Sequence, residues 1–254
     1  MVDINYFQTK STAARPFFIA GCDEVGRGPL AGPVVAACAS LHISSYDRKE
    51  IQKLFREWKK LGITDSKKLN SQKREEILKK LSWIKESKSL KINQIYTYVY
   101  SENITFKILI KEIHAEIIDE INILQASLKA MKEAMEGSCS LDLGGTVLID
   151  GNRKFKNDYA DIELETIVEG DSKSLLIGMA SIIAKEYRDN LMREYDRLYP
   201  GYGWAENAGY ATPRHRQAIE LLGITPLHRK TFRLVREAFD VGADSGIIAD
   251  EALS

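Results

Sequence analysis

Three short apolar runs in this chain each stop at a carboxylate with glycine close by. Phe17 to Cys22 (FFIAGC) stops at Asp23-Glu24 ahead of Gly26. TVLI stops at Asp150-Gly151, and Ile162 to Val168 stops at Glu169-Gly170-Asp171. Apolar runs of this length closed by turn formers read as buried strands. One strand-end acid alone is a turn former or a helix cap, and Asp171 in particular could merely cap the helix after it. Three such ends are a stronger constraint, because strands that finish on one edge of a sheet bring distant side chains together.

The rest of the chain supplies a sheet with helices around it. Val34 to Leu41 after Pro33 and the loosely alternating Leu90 to Val99 read as two more strands, five in all. Tyr46 to Lys60 reads as a charged helix, and Asn70-Ser71 caps a second one over QKREEILKKLSWI. Ile110, Ile113, Ile117, Ile121, Leu124, Leu128, Met131 and Met135 recur at spacings of three and four and predict a core-facing helix. A long helix follows from Ser172 to Leu198, stopped by Pro200-Gly201. Thr212-Pro213 opens another that Gly223 closes, and one more spans Phe232 to Phe239. Strands, a helix, more strands and then helices alone make an α/β mixed sheet with a helical C-terminal part. The expected division is a catalytic domain over 1–199 and a helical region over 200–254, frayed and acidic from about 240.

Composition narrows the class. With 254 residues, 44% hydrophobic and 28% charged, the chain has enough apolar side chains for a proper core, which excludes disordered and collagenous chains. No run approaches the ~18 apolar residues of a membrane span. The N-terminus is too polar for a secretory signal. Cys22, Cys38 and Cys139 are too few for a disulfide framework, so a reducing, cytoplasmic setting is expected, with Cys22 as a small buried side chain. Net charge is zero, yet Arg48 to Lys91 holds 15 basic against 6 acidic residues. That stretch is either a solvated helical face or a surface that meets polyanions.

Clustered carboxylates repel one another and stay ionised together only when a cation joins them. Oxygen-only ligands suit Mg²⁺ or Mn²⁺ rather than zinc. Two such ions ~4 Å apart stabilise the attacking and leaving oxygens of a phosphodiester displacement. Neighbours on a strand face opposite ways, so Glu24 needs the backbone to turn there if it is to join Asp23. Gly26 to Gly32 (GRGPLAG) matches the loose dinucleotide fingerprint, but proline and a strand follow where that fingerprint needs a helix. The remaining reading is a loop that offers backbone groups at close range to a substrate, with Arg27 adding charge.

In order, DEVGRGPLAGPVV, DSKKL, DEINILQASLKAM, LIDGN, EGDSKS with SIIAKEYRD, GYATPRH and LHRKTF resemble ribonuclease HII, the bacterial type 2 ribonuclease H, from about Phe18 to Val235. The resemblance implies a ribonuclease-H-like mixed five-stranded sheet flanked by helices, with a helical C-terminal region. It implies four metal-binding and catalytic carboxylates, Asp23, Glu24, Asp150 and Asp171. It also implies a loop, Gly26, Arg27 and Gly28, that senses a ribonucleotide's 2′-hydroxyl and a neighbouring phosphate. Tyr210 would pack on the following sugar, and Lys67 and Lys185 would contact phosphate.

The implied reaction is hydrolysis on the 5′ side of a ribonucleotide, in RNA–DNA hybrids or singly in duplex DNA, leaving 5′-phosphate and 3′-hydroxyl. A monomer working with Mg²⁺ or Mn²⁺ is expected, and a replication partner on the acidic tail is unproven. Ribonuclease HIII carries an extra N-terminal domain and a lysine at the position of Arg27, so the Gly-Arg-Gly loop favours HII. The family helix usually reads Ser-Ala-Ala-Ser, whereas this one reads Gly178-Met179-Ala180-Ser181 and must house a methionine. The segment 46–60 is longer than usual, an added helix of unknown function.

Lys185 lies 14 residues beyond Asp171, ~21 Å along a helix, and so cannot touch the same metals. It is a phosphate contact further along a duplex or a surface lysine. Tyr210 is either that sugar contact or core packing. His215 and His228 read as structural or surface residues rather than as general bases. The rival reading is a non-catalytic module that binds duplexes, which would gain nothing from four clustered anions.

Overall fold

The computed structural model describes residues 2–10, 16–81 and 90–238. The chain divides into two compact units. The first takes residues up to Val25, Val35–Glu112 and Leu128–Tyr187; the second takes Gly26–Val34, Ile113–Ser127 and the chain from Arg188.

The first unit is built on a six-stranded sheet, one strand more than the sequence suggested. In chain order the strands are β1 (Phe17–Val25), β2 (Val34–Ile43), β3 (Tyr96–Val99), β4 (Ile104–Ile113), β5 (Gly144–Asp150) and β6 (Ile162–Ile167). Across the sheet they run β3-β4-β2-β1-β5-β6. β1 pairs antiparallel with β2 and parallel with β5, and β5 pairs parallel with β6, so the sheet is mixed. The additional strand is β4. Ile104, Phe106, Ile108 and Ile110 are buried at a period of two, so Ile110 and Ile113 belong to a strand and not to the helix expected there. β3 is shorter than the expected Leu90 to Val99, because Asn93 takes a left-handed φ of 60° and breaks the run.

Helices cover this sheet. α1 (Val2–Lys10) and α2 (Arg48–Lys60) come first, then a short 3-10 turn at Ser66–Lys68 and α3 (Ser71–Lys80). α2 begins at Asp47, whose carboxylate accepts from the amides of Lys49 and Glu50, and it buries Ile51, Leu54, Phe55 and Trp58. Its Lys and Arg side chains lie on the opposite, exposed face. Trp58 meets Phe106 of β4 edge to face at 4.8 Å. Asn70 caps α3 through the amide of Lys73, as its sequence indicated. The last residues expected in that helix, 82–84, lie outside the described residues, as do Phe239 and the acidic tail.

α4 (Ala115–Ser138) is not continuous. Asn122 sits at φ 66°, and its side chain accepts from the amides of Leu124 and Gln125, capping a fresh start. Ile117, Ile121, Leu124 and Leu128 are only half-buried, while Ala126, Ala130, Met131, Ala134 and Met135 face inward. α5 (Gly170–Lys173) and α6 (Leu175–Leu198) replace the single helix expected from Ser172. The start of α6 is tied by Asp3, whose carboxylate accepts from Ser174 Oγ at 2.5 Å and from the amide of Leu175 at 2.9 Å. Met179 is fully buried in the main core of the first unit.

The second unit carries α7 (Trp204–Asn207), α8 (Pro213–Leu222) and a helical run at 233–238. Thr212 caps α8 through the amide of His215, and Gly223 ends it. The core of this unit gathers Leu30, Ala31, Met192, Tyr202, Trp204, Ala218, Ile219 and Val235.

Candidate active site

The register of the sheet brings the first two acids together. β1 and β5 run parallel with Cys22 opposite Ile149, so Asp23 comes level with Asp150 at the ends of neighbouring strands. Residues level on parallel strands share a face, and neighbouring strands lie ~4.8 Å apart. Asp23 is 6% exposed, and burial pushes its carboxyl well above the usual range, with the charges of Glu24 and Asp150 adding to the rise. A hydrogen bond from Ser181 and one from the amide of Glu24, 2.7 Å to Oδ1, work the other way. Ser181 Oγ also bonds Ser66 Oγ at 2.8 Å, which links α6 to the turn after Asp65.

β1 runs regularly through Val25, with Glu24 paired to Ala36 and Val25 to Val35. The turn expected at Glu24 comes two residues later, at Gly26, with φ 89°. Glu24 is half-buried and close enough to Asp23 to raise it.

Asp150 and Asp171 are joined through the turn at Glu169-Gly170. Glu169 takes a left-handed φ of 57°, which aims the amide of Gly170 at Asp150 Oδ1, 2.7 Å away. A Cβ on Gly170 would stand 3.1 Å from that oxygen and 2.6 Å from Ile177 Cδ1, so a side chain there would make Ile177 shift and crowd the approach. Asp171 lies inside α5, is 7% exposed and hydrogen-bonds Asp65, so it is not the cap of its helix. Burial, Asp150 and Asp65 together push it up to about 6.

The turn DSKKL adds two groups. Asp65 accepts from the amide of Lys67 at 2.9 Å and closes the 3-10 turn. The Lys67 ammonium is held above its ordinary range: partial burial works against its charge, and Asp23, Asp171, Asp65 and Asp150 outweigh it. Four acids from four places in the chain thus act on one lysine. Asp65 is the member that reading the sequence missed, although it stands in a quoted motif. Lys185 lies half-buried in α6, one turn beyond Ser181.

Whether these residues suit a divalent cation is a question of donors and charge. All the donors are hard carboxylate oxygens, two of the acids are pushed up by their neighbours, and a cation is the group that relieves such crowding. As they stand, the side chains are turned onto protein partners: Asp150 onto the Gly170 amide, Asp171 onto Asp65, and Asp23 onto Ser181. Among the described residues, no group of three or more His, Cys, Asp or Glu side chains is arranged to hold an ion in that state.

In the second unit lie the loop and Tyr210. Arg27 and Gly28 are exposed. Tyr210 is 44% exposed, so its ring is not core packing, and a methyl on Gly28 would lie 3.4 Å from its Cε1. The backbone of Tyr210 is held from below: His215 Nδ1 lies 3.0 Å from its carbonyl and the Thr212 amide 2.8 Å. His215 and His228 are both buried, and burial depresses both, His228 to about 3 with His215 contributing.

Residues 20–239 match the ribonuclease HII family. A ribonuclease HII from Geobacter sulfurreducens is 41% identical over 230 residues, spanning 90% of this chain and 88% of the relative. One from Enterococcus faecalis is 40% identical over 222 residues, 86% of this chain and 71% of the relative. Among solved structures, the ribonuclease H2 from Pyrococcus horikoshii superposes with a TM-score of 0.61 at 22% identity, over 88% of this chain and 98% of that one. Bst-RNase HIII in complex with Mn²⁺ superposes with a TM-score of 0.55 at 17% identity, over 92% and 73%. The two structural likenesses speak for the fold. On the match along most of its length and on relatives at about two-fifths identity, the chain belongs to the ribonuclease HII family, the type 2 ribonucleases H.

Proposed function

We propose that this enzyme hydrolyses the RNA strand of RNA–DNA hybrids and single ribonucleotides embedded in duplex DNA, on the 5′ side of the ribonucleotide, leaving 5′-phosphate and 3′-hydroxyl. The observation that supports it most is the level pair Asp23 and Asp150, with Glu24 raising Asp23, Asp150 and Asp65 raising Asp171, and Asp23, Asp150, Asp171 and Asp65 all acting on the Lys67 ammonium. Asp23, Glu24, Asp150 and Asp171 would hold Mg²⁺ or Mn²⁺. When bound, such ions activate water and stabilise the charge that develops on the leaving oxygen.

The chain's own residues do the rest. Crowded acids keep the site receptive to cations and repel a phosphate unless the cation is present. Lys67 meets the phosphate beside the scissile bond, and Lys185 meets one further along the duplex. Gly26, Arg27 and Gly28 continue directly from β1 and offer backbone groups to the 2′-hydroxyl, with Arg27 on the neighbouring phosphate. Tyr210 packs on the sugar that follows and orients it, which favours an RNA-to-DNA junction.

The test is cleavage of a DNA duplex carrying one ribonucleotide, with Mg²⁺ or Mn²⁺ and with chelator. Asp23→Asn and Asp150→Asn are expected to abolish scission while duplex binding persists. Wild-type turnover in either variant, or undiminished cleavage in chelator, rejects the assignment.

A further inference from the structure

Two guanidinium groups lie fully buried in the second unit, and the mechanism above uses neither. Arg229, from LHRKTF, directs Nε and Nη2 at the Gly32 carbonyl (3.0 and 2.8 Å), Nη1 at the Arg27 carbonyl (2.9 Å) and Nη2 also at the Gly26 carbonyl (2.6 Å). Its amide donates to the Leu30 carbonyl at 2.9 Å. Arg188, in α6, directs Nε at the Pro33 carbonyl (2.9 Å), Nη2 at Ala31 (3.1 Å) and Nη1 at Ala208 (2.9 Å). The donors of both side chains go to peptide carbonyls, where a buried arginine more often faces a carboxylate. Six carbonyls between Gly26 and Pro33 are thereby drawn inward. Gly26 gives room for the arrangement: at φ 89°, a Cβ there would stand 2.3 Å from Arg188 Nε.

A trans peptide sets its carbonyl and the next amide in opposite directions, and the described chain has no cis bond. With the carbonyls of Gly26 and Arg27 held by Arg229, the amides of Arg27 and Gly28 point away from it, at the two exposed residues of the loop. We propose that Arg229, braced by Arg188, is a positioning residue. It fixes the amides of Arg27 and Gly28 outward before substrate arrives, where they can donate to the 2′-hydroxyl that a ribonucleotide has and a deoxyribonucleotide lacks. This rests on reading the loop as the part that meets the ribonucleotide. The planar fork matters as well as the charge, since three carbonyls are held by one rigid group.

The experiment compares binding of two duplexes of one sequence, one with a single ribonucleotide and one all DNA, in Ca²⁺. Wild type is expected to prefer the former; equal binding by wild type rejects the reading of the loop itself. In Arg229→Lys the preference falls about tenfold while affinity for the all-DNA duplex is kept, the loss expected when hydrogen bonds from a charged fork go unmade. A preference unchanged in Arg229→Lys overturns the proposal. Should Arg229→Lys fail to fold, residue-resolved amide exchange on wild type decides. The amides of Leu30 and Gly32, bonded to the carbonyls of Gly209 and Leu227, exchange slowly throughout. That of Gly28 exchanges fast until the ribonucleotide duplex is added, and a Gly28 amide already protected in the free protein overturns the proposal.

Discussion

His228 and His215 meet nitrogen to nitrogen, Nε2 to Nε2 at 3.2 Å, and their surroundings leave one assignment of protons. His228 Nδ1 accepts from the Thr225 amide at 2.9 Å, so its proton lies on Nε2. His215 Nε2 accepts that proton's bond and another from Trp204 Nε1 at 3.0 Å, which leaves Nδ1–H to hold the Tyr210 carbonyl. Both rings are neutral here, and protonating either one breaks the chain.

The sign of the pH effect follows. His228 titrates near 3 in the folded protein and near 6.5 unfolded, so between these values the unfolded chain binds the extra proton. Its contribution to stability is complete above pH 6.5 and is lost as pH falls, at up to about 1.4 kcal/mol per pH unit. Urea unfolding between pH 7 and 5 should therefore show a steeper loss for wild type than for His228→Asn. Parallel slopes would refute it.

Gly28 and Tyr210 should be coupled. Gly28→Ala places a methyl 3.4 Å from the ring, in the gap where a sugar would lie. We expect an unchanged unfolding temperature and about a tenfold lower kcat/KM on the single-ribonucleotide duplex. Tyr210→Ala should weaken cleavage more than binding. The double variant should lose less than the two single losses combined, which a mutant cycle measures.

Lys67 stands among like-charged acids as their nearest compensation. Without divalent cations, Lys67→Met should lower the unfolding temperature by only about 1–2 °C, since the lysine is exposed. Adding Mn²⁺ should raise it by more than in wild type, because the acids then lack the ammonium that offsets their charge. An equal rise in both proteins would mean that Lys67 does not offset those charges.

Arg74 shows that part of the basic stretch is interior. Its Nε lies 3.2 Å from Glu186 Oε2, and both side chains are buried. Arg74→Ala should cost about 3–5 kcal/mol in urea unfolding, because Glu186 is left charged and dry. Arg74→Met with Glu186→Leu should recover most of that loss.

What could be read in advance divides along physical lines. The strand-end acids, the cap at Asn70 and the Thr212-Pro213 start were legible because each is a local pattern with a local cause. β4 was missed because Ile110 and Ile113 fit a helical spacing as well as an alternating one, and the longer helical match absorbed them. The break at Asn122 went unseen because its side chain replaces the hydrogen bonds that a break would lose. Asp65 and the tie of Asp3 to Ser174 depend on residues far apart in sequence, which no local pattern reports. Asp171 was open between cap and site, and its place inside α5, with Glu169 at the cap position, removes the first of these.

The ladder between β1 and β5 has a last consequence. No bulge sets the spacing of Asp23 and Asp150; alignment of the two strands does so alone. A slip by a single residue would turn Asp23 to the opposite side of the sheet. On the proposed reading of this pair, mispaired chains are silent rather than indiscriminate: the power to cut arrives only with correct assembly, and a half-made molecule poses no threat to nucleic acid around it.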